Sequence, residues 1–239
     1  MRKKLSYVFL LVVVLLILDQ LMKVYIKSSF EPYETQALFG DWFVLHYTEN
    51  PGMAFGTTFG SEIWHKLALS IFRLIAIGFI VYYLIKQAKK GASMEFLLVF
   101  GLILAGATGN LIDSMCYDFV FPLNPCAEFN LLPGSGIKGV CNNPETIYNQ
   151  GFPIFDKVVL NEAKEPRELR HQGFMLGSVV DMFQFNVNWP KWVPAVGGEQ
   201  IFPAIWNIAD ASISTGVILI LIRQRTYFPK KKESSESEG

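Results

Sequence analysis

The chain has 239 residues, 51% of them hydrophobic, and a formal net charge of zero. Its mean hydropathy is +0.30. That composition excludes an ordinary soluble domain of this length and directs attention to membrane spans, and no nucleic-acid partner is expected.

Four segments approach the roughly 20 apolar residues that a 30 Å hydrocarbon core requires. They are residues 6–27, 64–84, 96–113 and 202–221. Lipid offers the backbone no hydrogen-bond partners, so each is expected to be an α-helix. The first follows "MRKK" and runs on into "LDQLMKVYIK" without a small-residue cleavage site, so it reads as a retained span rather than a signal peptide. No lipobox cysteine stands near the N-terminus, so the chain does not read as a lipoprotein itself.

Basic residues orient the spans. Arg2, Lys3 and Lys4 precede the first, Lys86, Lys89 and Lys90 lie between the second and third, and Arg223, Arg225 and Lys230 to Lys232 follow the fourth. The positive-inside rule makes these places cytoplasmic, with residues 28–63 and 114–201 outside. The outer segments read as β-structure and loop. "WFVLHYT" (42–48) is a strand candidate ending at the turn-prone "NPG", and "FQFNV" (183–187) alternates apolar with polar. Residues 115–176, rich in Pro, Gly and Asn, read as an irregular surface insertion with at most a helical turn in "NEAKEPRELR". The expected organisation is therefore a single four-span domain over 1–228 and a disordered cytoplasmic tail over 229–239.

Cys116, Cys126 and Cys141 all lie in the outer segment, where an oxidising compartment permits one disulfide and leaves one thiol. The three histidines are scattered and no Cys-x-x-Cys pair occurs, so no metal or other cofactor is expected. Trp42, Trp64, Trp189 and Trp192 suit interfacial anchors.

The polar residues inside the spans carry the functional signal. At 1.5 Å per helical residue, Asp210 lies about 12 Å below the outer surface, and Asp19 at a similar depth. Asn110 and Asp113 fall at the outer end of the third span, and Arg73 nine residues into the second. Asn207 with Asp210 and Asn110 with Asp113 are spaced i, i+3, which puts each Asn on the helix face of its Asp. A single buried Asn or Ser is most simply helix-to-helix glue. Several carboxylates are a poor way to gain stability, so matched depth across four spans implies a shared polar site.

Taken in order, "DQLMK" (19–23), "NPGMAFG" (50–56), "GNLID" (109–113), "VVDMF" (179–183) and "WNIAD" (206–210) resemble the motifs of the lipoprotein signal peptidases. These type II signal peptidases are intramembrane aspartic proteases of the bacterial inner membrane. The resemblance implies that Asp181 and Asp210 are the catalytic pair, with Asn110 and Asn207 as polar supports. Asp19 and Lys23 become structural or substrate-facing, and Asn50 a contact to the substrate backbone. Asp113 is left between support of the site and helix capping. It further implies a monomer in membrane lipid that cuts diacylglyceryl-modified prolipoproteins just before the lipidated cysteine.

Two departures stand out. The family places Arg directly after "GNxxD", where this chain has Ser114, and it separates that motif from "VVD" by only a few residues. Arg73 is the candidate replacement for the missing cation; a snorkelling Arg is the alternative. Intramembrane Asp and Asn also mark ion pathways, so a small ion-conducting transporter is the competing function and a non-catalytic scaffold the third.

Overall fold

The computed structural model describes residues 1–51, 63–141 and 166–228. Three long apolar helices form its body: α1 (Arg2–Ser29), α2 (Ile63–Lys89) and α3 (Met94–Val120), each of a length and composition that can cross a membrane. Most of the surface of α1 and α2 is exposed aliphatic and aromatic side chain, as lipid-facing helices require. α3 is the central helix, packed against α1, α2 and the last apolar helix, α4 (Ile208–Ile222). A short α5 (Gln224–Tyr227) follows.

At one end, Lys4 donates to the Ala92 carbonyl at 2.7 Å, and Arg223 forks onto Glu95 at 3.0 Å. The N-terminus, the α2–α3 loop and the end of α4 therefore share one side, together with the basic residues Arg2 to Lys4, Lys86, Lys89, Lys90, Arg223 and Arg225. At the opposite end sits an antiparallel sheet of order β1-β2-β5-β6: β1 (Thr35–Phe39), β2 (Phe43–Asn50), β5 (Val179–Phe185) and β6 (Ile205–Trp206). Ile26 from α1 and Phe30 just after it, Tyr117 from α3, Leu45 and Tyr47 from β2, and Val180 and Met182 from β5 form one apolar cluster. That cluster seats the sheet on the ends of α1 and α3.

Four expectations change. The 202–221 span is helical only from Ile208, and its 15 residues extend about 22 Å. Residues 205–206 pair with β5 instead, because Phe183 and Gln184 present a free sheet edge opposite Trp206 and Ile205. Asp210 is thus in the first turn of α4, not about 12 Å into a helical span. The third helix runs on past Asp113 to Val120, seven residues further, so Asp113 caps nothing. The strand expected over 183–187 starts at Val179, which places Asp181 inside β5 rather than ahead of it.

The insertion begins after Val120. Its described part holds a 3-10 turn (Glu128–Asn130), a two-stranded ribbon of β3 (Lys138–Gly139) with β4 (Arg167–Glu168), and a Cys126–Cys141 disulfide that leaves Cys116 as an exposed free thiol. Residues 52–56 of the "NPGMAFG" motif, the first half (161–165) of the "NEAKEPRELR" run and the 229–239 tail lie outside the described residues. Trp42, Trp64, Trp189 and Trp192 are exposed, as anchors would be.

Candidate active site

Close backbone contact comes first. A Cβ on Gly106 would fall 2.2 Å from the Ala209 carbonyl oxygen, so only glycine lets α3 and the start of α4 approach this closely. Gly177 is pinned in the same way, with its N–H donating to the Ser114 carbonyl at 2.9 Å and a Cβ there landing 2.4 Å from the Asp113 carbonyl. The two contacts bring Asp210 and the Asp181 strand to the same stretch of α3.

Asn207 is the N-cap of α4. Its Oδ1 accepts the Asp210 backbone N–H at 2.9 Å, which leaves its Nδ2 free to point away from the helix. That Nδ2 donates to Asp181 Oδ1 at 2.7 Å and also lies within reach of the Val180 carbonyl and Asn110 Oδ1. Asn110, on α3, donates its own Nδ2 to Asp210 Oδ1 at 2.8 Å. Each amide therefore serves a carboxylate on a different element, not the one three residues away. The i, i+3 expectation fails because Asn207 caps the helix from outside and Asp113 turns toward α1.

Beneath this layer is a buried ion cluster. Lys23, fully buried, contacts Asp19 at 2.9 Å and Asp113 at 2.8 Å and donates to Asn110 Oδ1 at 2.9 Å. A buried cation costs several kcal/mol unless paired, and here two carboxylates and an amide oxygen surround it. The third donation also fixes which way the Asn110 amide faces, since its oxygen is held by Lys23 and only its NH2 can reach Asp210. Asp19 Oδ1 accepts the Ala209 N–H at 2.9 Å and so ties α1 to the exposed donors of the α4 N-terminus. Asp113 Oδ2 lies 3.4 Å from the Val180 N–H, linking α3 to β5.

Sequence reasoning passed over Gln20. It bridges Asp19 at 3.1 Å, Asp113 at 3.0 Å and the Gly109 carbonyl at 3.3 Å, and receives the Tyr117 hydroxyl at 3.0 Å. Its position beside Asp19 in "DQLMK" was the one available signal. Arg73, on α2, donates to Ser114 Oγ at 3.2 Å, and Ser114 in turn donates to the Asn110 carbonyl at 3.2 Å. Asn50, half-exposed, ends β2 opposite Val179.

The two carboxylates differ in environment. Asp181 is buried and Asp210 half-buried. Burial, and next the neighbouring Asp210 charge, raises the Asp181 carboxyl well above its ordinary value. A buried carboxyl beside a less buried one is an arrangement suited to exchanging acid and base roles around a water.

Comparison with known proteins bears on the chain as a whole. Residues 11–225 match the family described as Signal peptidase (SPase) II. A "Lipoprotein signal peptidase" of Porphyromonas gingivalis is 34% identical over 218 residues, covering 89% of this chain and 80% of that protein. One of the same name from Amoebophilus asiaticus is 30% identical over 246 residues, covering 99% and 85%. Among solved structures, a bacterial membrane enzyme determined by the in meso method superposes with a TM-score of 0.53 at 22% identity, covering 95% of this chain and 94% of that one. At that identity the likeness concerns the fold.

Proposed function

The chain belongs to the signal peptidase II family, membrane proteases that process lipoprotein signal peptides, and on that premise we propose that Asp181 and Asp210 are its catalytic acids. The observation that carries this is the amide bridge: Asn207 holds Asp181 by its side chain and Asp210 by its backbone, while Asn110 holds the Asp210 side chain. Two acids positioned by separate amides on separate elements form a site, whereas helix glue has no need of the pairing.

The ionised carboxylate takes a proton from water as the water attacks the scissile carbonyl, and the protonated partner donates a hydrogen bond to the carbonyl oxygen. The proton then passes to the leaving amide nitrogen. The substrate is a prolipoprotein whose cysteine already carries diacylglycerol, and the cut falls just before that cysteine. A lipid-held cysteine keeps its peptide bond near the outer leaflet, the depth at which the sheet and the α4 N-terminus meet.

The proposal includes four spans, with α4 and the strand leading into it serving as the fourth, both termini cytoplasmic, and the enzyme acting as a monomer in lipid. Asp19, Lys23 and Asp113 support the site from below, and Asn50 contacts the substrate backbone. Arg73 stands in for the family's Arg at the position of Ser114, a role supported by its hydrogen bond to that serine. Membership of a peptidase family favours hydrolysis over ion conduction.

The test is cleavage of a lipidated precursor peptide by Asp181→Asn and Asp210→Asn, with folding checked by thermal unfolding. Both variants are expected to fold and to lose cleavage; normal processing by either removes the assignment. Arg73→Ala is expected to lower kcat and Arg73→Lys to restore part of it, while equal activity of all three makes Arg73 a bystander.

A further inference from the structure

The outer insertion rejoins the site through one short turn, residues 173–176. β5 follows at Val179, and Asp181 is the third residue of that strand. Every residue from Leu176 to Asp181 is buried, so a close-packed segment without slack carries any shift of the turn on to the acid. Met175, inside the turn, has a φ of 65°, in the left-handed region that residues other than glycine adopt at a cost. Such a conformation persists only where its surroundings hold it.

Two holds come from α2. Ser70 donates its hydroxyl to the Met175 carbonyl at 2.9 Å, and Lys66 donates to the Leu176 carbonyl. The third comes from the returning insertion. Arg170, buried, forks onto Asp118 of α3, with Nη2 on Oδ1 at 2.8 Å and Nη1 on Oδ2 at 3.0 Å, which fixes the plane of its guanidinium. In that plane Nη1 also reaches the carbonyls of His171 and Leu176, each at 3.2 Å, while Nε donates to Asn130 Oδ1 at 3.0 Å. Asp118 Oδ2 accepts the Gly173 N–H as well, at 3.1 Å. One ion pair therefore grips both ends of the turn, and the Leu176 N–H closes it onto the Gly173 carbonyl at 3.0 Å.

Among the described residues Arg170 makes no hydrogen bond or ion pair with Asp181 or Asp210; its partners are Asp118, Asn130, two carbonyls and, at 3.9 Å, Glu49 of β2. Its effect on them runs through the backbone. We propose that Arg170 is a positioning residue for the peptidase reaction: through Asp118 and the Leu176 carbonyl it sets where β5 begins, and so where Asp181 stands relative to Asp210. The proposal rests on the reading of those two aspartates as the catalytic acids, and it gives the insertion a task in catalysis.

The experiment measures kcat and KM of the full chain on a lipidated precursor peptide, at a temperature where thermal unfolding shows each variant folded. Arg170→Gln is expected to lower kcat by about tenfold with KM within about twofold of wild type, because a slightly misplaced acid slows the chemical step more than it weakens binding. It is also expected to lose stability, since Asp118 stays buried without its cation. Arg170→Gln/Asp118→Asn removes both charges and is expected to regain stability but not kcat, as the turn still lacks its grip. A kcat that recovers together with stability overturns the proposal, as does an unchanged kcat in a folded Arg170→Gln. Should the single variant not fold, the double variant against wild type decides alone, and equal kcat overturns the proposal. Asp181→Asn, assayed alongside, separates the two readings: if it cleaves normally the catalytic assignment falls and this proposal with it, whereas if it is inactive beside a fully active Arg170→Gln only this proposal falls.

Discussion

Lys23→Met is the most demanding test of how the site is held. Methionine nearly matches the lysine stem in volume, so the substitution removes charge without opening a large cavity. What remains is Asp19 and Asp113, both buried and both stripped of a cation that stood 2.9 and 2.8 Å away. Removing one partner of a buried ion pair costs about 3–5 kcal/mol. The lost bond to Asn110 adds about 1 kcal/mol. Unfolding in mixed micelles, followed by tryptophan fluorescence, should report a loss in that range. The double variant Lys23→Met/Asp113→Asn should recover part of it, since one uncompensated charge is gone. Activity should fall further than stability explains, because Asn110 is then free to turn its amide away from Asp210, lowering kcat with little change in KM. A loss below about 1 kcal/mol, or a double variant worse than the single, refutes the idea that Lys23 neutralises this layer.

Three other outcomes rest on the same geometry. Because burial raises the Asp181 carboxyl above its unfolded value, the stability linked to it is complete below the ordinary carboxylate range and is lost as pH rises through the raised value. Cleavage should decline over the same rise, and Asp181→Asn should flatten the stability profile; a wild-type profile as flat as the variant's contradicts the assignment. Gly106→Ala puts a methyl against the Ala209 carbonyl, with an expected cost of about 1–3 kcal/mol and a lower kcat through displacement of Asp210, read by unfolding and peptide cleavage. Thiol labelling of the denatured, unreduced chain should give one adduct, at Cys116, and three after reduction; three before reduction would exclude the disulfide.

Much of the site was legible because lipid makes polar residues conspicuous. Asp19, Asn110, Asp113 and Asp210 stand out in apolar runs, and the helices they occupy need no tertiary information to be found. Asp181 and Gln20 were harder to find by pattern alone. Asp181 lies in a strand, where hydropathy assigns no cost to a carboxylate, and only motif order selected it; Gln20 is an uncharged neighbour of a charged residue. The disposition of the fourth segment misled for a specific reason. Residues 202–206 are apolar enough to extend a helix, but the free edge of β5 competes for their backbone groups, and Asn207 starts α4 only beyond them.

The chain by itself determined the membrane class, the order of its helices and the residue types of the site, since these depend on local composition, period and spacing. Tertiary structure alone decided which amide serves which carboxylate and that Arg73 meets Ser114. Those relations join residues as many as 100 positions apart, as between Asn110 and Asp210. They depend on how closely α3 approaches α4 and on the register of β2 against β5, and neither is written in any local stretch of sequence.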